Sequence, residues 1–276
     1  MFGEYSVVMG SQVLGIPVFD SYGYWSKESG LNSFLSDAFF EYLESSCSAF
    51  LNKDRITELA DGKWYYSSNI RRGYGMGSSG ALSAAIYDYC AIEAEGDDTK
   101  LQHYLSVIES FFHGKSSGFD PLISIKSCPV IRRSDGSFEL LEKEALPSKS
   151  LGQIYLLDSG DKRRIKGLVP KFVSMYEKRP AIYNELNVLN NNLIDRFLAG
   201  QSITASMAGL SKFQLEYMSP MIMNHLVPFW KRGLDSGDYF VKICGSGGGG
   251  YYLIYMVNDL FQNQNKPYQL VPIIRS

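Results

Sequence analysis

Gly73-Tyr74-Gly75-Met76-Gly77-Ser78-Ser79-Gly80-Ala81 is the stretch on which the reading of this chain turns. It holds four glycines in eight residues and two serines, and it runs into Ala81-Leu82-Ser83-Ala84-Ala85-Ile86-Tyr87, an apolar run of helical character. Glycines ahead of a helix make a ready anion site. The first amides of a helix have no partner within it, and the helix dipole adds partial positive charge. No Gly-Lys-Ser/Thr follows at the spacing of a Walker A loop. A tight turn is the competing reading, and the loop taken alone does not choose between the two.

Composition narrows the field. With 276 residues, 45% hydrophobic and 20% charged, the chain suits one large or two small domains with ample core. A formal net charge of −2 gives no basic excess to attract nucleic acid or an anionic membrane. Cys47, Cys90, Cys128 and Cys244 stand apart, with no C-x-x-C. They read as reduced, mostly buried thiols of a cytosolic protein rather than a disulfide frame or a zinc site. No basic segment followed by an apolar stretch opens the chain, so no signal peptide is expected. The best apolar stretch, Tyr251 to Val257, is far too short to span a bilayer.

Along the chain, strands are predicted at Tyr5–Met9, Val13–Phe19, Trp64–Ser67, Leu122–Ser127, Val130–Arg133, Ser137–Leu141, Gln153–Asp158, Tyr239–Cys244 and Tyr251–Val257. Apolar residues three and four apart predict helices over Leu31–Leu51 and Thr99–Phe112. The second half adds helices at Lys166–Tyr176, Ile182–Ala199, Ile203–Ser219 and Met221–Lys231, and His113–Pro121 reads as a loop. Strands and helices mix without a strict βαβ alternation, which favours α+β. A boundary is expected near residue 160, where a strand-rich half meets a helix-rich one.

Two further stretches accompany the opening loop: Gly3-Glu4-Tyr5-Ser6-Val7-Val8-Met9-Gly10 and Lys242-Ile243-Cys244-Gly245-Ser246-Gly247-Gly248-Gly249-Gly250. In order and spacing the three resemble the three motifs of the GHMP kinases, which act on galactose, homoserine, mevalonate and phosphomevalonate. Glu109-Ser110-Phe111-Phe112-His113-Gly114-Lys115-Ser116-Ser117-Gly118-Phe119-Asp120 is similar to the mevalonate kinase segment in which a helix glutamate precedes His-Gly and then Ser-Gly-x-Asp. Leu157-Asp158-Ser159-Gly160-Asp161-Lys162-Arg163-Arg164-Ile165-Lys166 resembles the Asp-Thr-x-x-x-Arg-x-Thr-Lys stretch of that subfamily. The resemblance covers nearly the whole chain. It implies a two-domain α+β fold: an ATP-binding domain like domain 2 of ribosomal protein S5 over residues 1–160, a ferredoxin-like domain over 161–276, and an active site between them.

The resemblance also implies roles. Gly73, Gly75, Gly77, Ser78, Ser79 and Gly80 would cradle the phosphates of ATP, glycine letting the backbone approach closely. Ser79 and Glu109 match the family's Mg²⁺-binding serine and glutamate, hard oxygen ligands for an ion that takes few from protein. Asp120, eleven residues beyond Glu109, would accept the proton of the acceptor hydroxyl. Glu4, Tyr5, Gly247 and Gly248 would lie near the substrate. Five glycines in the six residues 245–250 exceed what a plain hairpin needs, which points to close approach of a ligand. Arg71, Arg72, Lys162, Arg163 and Arg164 are carboxylate or phosphate partners or a solvated charge run. His113 carries no assigned chemistry.

The chain departs from the family at three places. Many mevalonate kinases have histidine where this chain has Tyr5, and threonine where it has Ile165. The family's strand with Gly-Lys precedes Gly-Glu, whereas Met1-Phe2-Gly3-Glu4 opens this sequence. The alternatives are a misassigned start, a truncated chain, or a chain of weak or no kinase activity. The expectation is a cytoplasmic ATP- and Mg²⁺-dependent kinase of a small alcohol, mevalonate first. A phosphomevalonate kinase and a catalytically impaired nucleotide- or metabolite-binding relative are the alternatives. A homodimer is compatible with this reading, the sequence leaving the oligomeric state open, and no nucleic-acid or membrane partner is expected.

Overall fold

The structure is a computed structural model that describes residues 2–28, 35–151, 153–162, 167–258 and 268–273. In chain order the strands are β1 (Val13–Gly15), β2 (Gly23–Ser26), β3 (Tyr65–Ser68), β4 (Val130–Arg132), β5 (Phe138–Leu140), β6 (Ile154–Asp158), β7 (Tyr239–Ile243), β8 (Tyr251–Met256) and β9 (Leu270–Pro272). The α-helices are α1 (Asp37–Ser46), α2 (Lys53–Ala60), α3 (Ser78–Cys90), α4 (Asp98–His113), α5 (Phe119–Lys126), α6 (Ser148–Leu151), α7 (Leu168–Lys178), α8 (Pro180–Leu198), α9 (Thr204–Tyr217) and α10 (Val227–Ser236). The mixture is α+β, as expected. Two compact units form from interleaved segments: Met1–Val18, Arg72–Met76 and Pro129–Ser276 in the first, Phe19–Arg71 and Gly77–Cys128 in the second. The boundary expected near residue 160 is, by contrast, a single cut in chain order.

The first unit is built on an antiparallel sheet of order β7-β8-β6-β9, with Val241 opposite Ile254, Leu156 opposite Leu253 and Leu156 opposite Val271. Every residue of β7 and β8 is buried, and apart from Lys242 these strands read as continuous apolar runs rather than alternating ones. Helices α9 and α10 pack on β7, and α8 packs on α9. Trp230, Tyr252, Phe172 and Phe197 fill the core between them. The Trp230 indole N–H is satisfied by the Ser211 hydroxyl at 2.8 Å, as a buried donor requires. A second antiparallel sheet, β1-β4-β5, completes the unit.

In the second unit α3 packs against α5, α4 and α2. Strands β2 and β3 pair antiparallel, and the Trp25 indole donates to the Ala85 carbonyl of α3 at 3.0 Å. Helix α4 starts where the Asp97 carboxylate caps the amides of Thr99 and Lys100, and it stops at Gly114, whose φ is 76°. At Gly80 an added Cβ would lie 2.8 Å from the Asp120 Cβ. Only glycine lets α3 and α5 approach this closely.

Several local expectations are corrected. Tyr5–Met9 is not a strand: Tyr5 has φ 65°, and Ser6–Met9 forms a 3₁₀ turn ending at Gly10. Leu122–Ser127 is not a strand either, but belongs to α5. Pro121 in the first turn suits a helix start, and packing on α3 and α4 outweighs the apolar run that looked extended. The helix expected over Leu31–Leu51 is observed only as α1, Asp37–Ser46; residues 47–51 are not helical, and residues 31–34 lie outside the described residues. The apolar stretch Tyr251 to Val257 contains the buried strand β8. Among the described residues no helix is long and apolar enough to cross a membrane.

Candidate active site

The opening loop alternates left-handed glycines, Gly73, Gly75 and Gly77 having φ of 75°, 78° and 67°. Helix α3 begins at Ser78, three residues earlier than its apolar run suggests, and Ala81 N–H to Gly77 carbonyl at 2.8 Å opens its ladder. Ser78, Ser79 and Gly80 therefore occupy the first turn, where helical geometry leaves their N–H groups without intrahelical acceptors. This is the donor arrangement a polyphosphate needs.

Ser79 is the centre of a polar cluster. Its Oγ donates to Glu109 Oε1 at 3.1 Å and lies 2.9 Å from His113 Nε2. Glu109 is buried, at 4% exposed. Its second oxygen, Oε2, accepts from the Ser116 hydroxyl. Burial raises the Glu109 pKa, while the hydrogen bonds from Ser116 and Ser79 hold it down. Among the described residues no group of three or more His, Cys, Asp or Glu side chains could cage a metal ion. A carboxylate and a hydroxyl oxygen 3.1 Å apart fit Mg²⁺, which keeps most of its shell for water and phosphate.

Asp120 lies in the first turn of α5, not in a loop, behind the N-cap Gly118 with φ 69°. It backs onto the start of α3: an added Cβ at Gly77 would lie 3.5 Å from Asp120 Oδ2. Ser79, Glu109 and Asp120 are thus brought together within one unit. His113 stands four residues after Glu109 on the same helix, a spacing that puts both on one face and was a usable signal. Ser116 carried none.

The other candidates lie in the first unit. Glu4 is buried, its Oε2 2.6 Å from Lys242 Nζ, while Oε1 has no hydrogen-bond partner. Lys242 is fully buried, also donates to the Ile243 carbonyl at 2.7 Å, and sits 5.6 Å from the Phe2 ring centre. The Tyr5 hydroxyl donates to the Ser246 carbonyl at 2.6 Å. Gly248 N–H reaches the Met221 carbonyl at 2.8 Å, and Tyr251 N–H reaches that of Tyr74 at 3.0 Å. An added Cβ would lie 2.4 Å from the Met221 oxygen at Gly247 and 2.6 Å from the Tyr74 backbone at Gly250. At these two glycines the closest neighbour of an added Cβ is protein backbone. The first and third glycine stretches and Tyr74 of the second converge in this unit. Arg71, Arg72 and Lys162 are exposed, and Arg163, Arg164, Ile165 and Lys166 lie outside the described residues.

Residues 41–127 match the family profile of the GHMP kinases N terminal domain. A comparison with curated protein sequences finds no significant match. Among solved structures, a mevalonate kinase superposes with TM-score 0.61 at 19% identity, over 98% of this chain and 94% of that one. The Methanococcus jannaschii mevalonate kinase gives 0.59 at 17% identity, over 98% and 93%. The Streptococcus pneumoniae phosphomevalonate kinase gives 0.60 at 12% identity, over 94% and 89%. Residues 41–127 thus match the GHMP kinase N-terminal domain, and the chain shares its fold with solved mevalonate and phosphomevalonate kinases.

Proposed function

We propose that the chain is an ATP- and Mg²⁺-dependent kinase that transfers the γ-phosphoryl group to the hydroxyl of a small alcohol, with mevalonate as the acceptor. The observation that carries this reading is the buried Glu109 carboxylate aimed at Ser79, in the first turn of the helix that follows the glycine loop. A buried carboxylate is costly even when hydroxyls bond to it, and a divalent cation beside it would supply counter-charge.

In this reading the amides of Ser78, Ser79 and Gly80, with Gly73, Gly75 and Gly77 ahead of them, bind the phosphates. Ser79 Oγ and Glu109 hold Mg²⁺, which when bound neutralises charge on the transferring phosphoryl oxygens. Asp120 accepts the proton of the acceptor hydroxyl as that oxygen bonds to the γ-phosphorus, the bond from that phosphorus to the β,γ-bridging oxygen breaking and ADP leaving with the oxygen. Glu4, Tyr5, Gly247 and Gly248 form the acceptor-binding set, Tyr5 being held by the Ser246 carbonyl.

The test is ADP release with mevalonate, phosphomevalonate, homoserine and galactose, run beside Asp120→Ala. Mevalonate is expected to raise turnover, and Asp120→Ala to lower kcat about 10²- to 10⁴-fold, the usual worth of a positioned base. If no acceptor lifts wild-type turnover above the Asp120→Ala background, the kinase reading fails. If phosphomevalonate alone does so, the acceptor assignment is replaced.

A further inference from the structure

We propose that Ser116 is a positioning residue that couples the Mg²⁺-binding carboxylate to the helix carrying the base. The inference rests on the assignment of Glu109 as a metal ligand made above. Ser116 lies just past α4, in the turn that leads to α5. Its hydroxyl donates to Glu109 Oε2 and accepts the Gly118 N–H at 3.0 Å. Its own N–H donates to the Ser110 hydroxyl at 3.1 Å, and Ser110 in turn donates to the Ser106 carbonyl at 2.7 Å, so the turn is tied back to α4.

A serine hydroxyl has one proton to give and two lone pairs. Here the proton goes to the carboxylate and a lone pair to the N-cap residue of α5. Engaging Oε2 fixes the plane of the Glu109 carboxylate and leaves Oε1 as the oxygen that faces Ser79, at 3.1 Å. Holding Gly118 fixes the start of the helix on which Asp120 stands two residues later. One hydroxyl thus sets both the metal ligand and the base relative to α3. Partners that orient metal ligands in this way are typically worth 10- to 100-fold in metal affinity.

The experiment titrates Mn²⁺ into the full chain with ADP present and follows free Mn²⁺ by electron paramagnetic resonance. Wild type is compared with Ser116→Ala, Ser116→Thr and Ser116→Cys, and each variant's urea midpoint is recorded. Ser116→Ala is expected to weaken Mn²⁺ binding about 10- to 100-fold and to lower kcat with little change in the KM for the acceptor. Ser116→Thr, which keeps the hydroxyl, should bind Mn²⁺ like wild type. Should Ser116→Ala fail to fold, Ser116→Cys decides, because a thiol is a weak donor and its affinity must also fall. Unchanged affinity in the folded alanine variant, or in the cysteine variant where alanine does not fold, overturns the proposal, even if the urea midpoint drops. A wild-type chain that binds no Mn²⁺ in the presence of ADP removes the Glu109 assignment itself.

Discussion

Lys242→Met should be among the most damaging single substitutions in the first unit. The Lys242 ammonium is fully buried and gives its hydrogens to Glu4 Oε2 at 2.6 Å and the Ile243 carbonyl at 2.7 Å. Methionine fills much of the stem's volume but leaves the Glu4 carboxylate buried with neither oxygen paired, since Oε1 already lacks a partner. Breaking a buried pair from one side typically costs about 3–5 kcal/mol. For a chain of this size each kcal/mol moves Tm by about 2–4 °C, so the loss should be roughly 6–20 °C. The assay is thermal unfolding of the full chain by near-ultraviolet circular dichroism. The double variant Glu4→Leu with Lys242→Met removes both charges and should recover most of the loss, because an apolar pair of similar volume is often neutral or better. A single variant within about 1 kcal/mol of wild type would refute the reasoning, as would a double variant no better than Lys242→Met.

Two further outcomes are expected. Gly250→Ala meets the Tyr74 backbone at 2.6 Å in a left-handed conformation of φ 78°, whereas Gly160→Ala has a similar φ of 79° but open space around it. Strain at such a site costs about 1–3 kcal/mol, so Gly250→Ala should unfold at clearly lower urea than Gly160→Ala, and equal midpoints would discard the packing argument. Glu109 has its pKa raised above the ordinary 4.5, chiefly by burial, so the folded chain holds that proton more tightly than the unfolded one. This stabilisation is present below pH 4.5 and is lost as pH rises through the folded value. Glu109→Gln, which cannot ionise, should therefore be more stable than metal-free wild type at neutral pH, and Mg²⁺ with ADP should no longer stabilise it. Parallel pH–stability curves for the two proteins would contradict this.

Much was legible along the chain because its causes are local. The glycine run ahead of an apolar helix, the three-and-four spacing of Leu101, Leu105 and Ile108 in α4, and the runs of β7 and β8, apolar but for Lys242, each follow from backbone freedom and side-chain periodicity within a few residues. The local signal failed where packing overrode it. Leu122 and Ile123 looked extended, yet they lie in α5, whose close fit to Gly80 depends on a partner helix far away in sequence. Tyr5 looked like a strand aromatic, but it sits at a left-handed corner with its hydroxyl tied to Ser246.

The sequence by itself determined the residue types a phosphate, a metal and a general base would call for, Gly73 to Gly80, Glu109 and Asp120, and the order in which they occur. Only the tertiary structure decided their environments. It buried Glu109 between Ser79 and Ser116, paired Glu4 with Lys242 across 238 residues, and filled the space at Gly247 and Gly250 with protein backbone. Those outcomes depend on desolvation and close approach, which arise only when distant segments pack together and have no signature in any one stretch of chain.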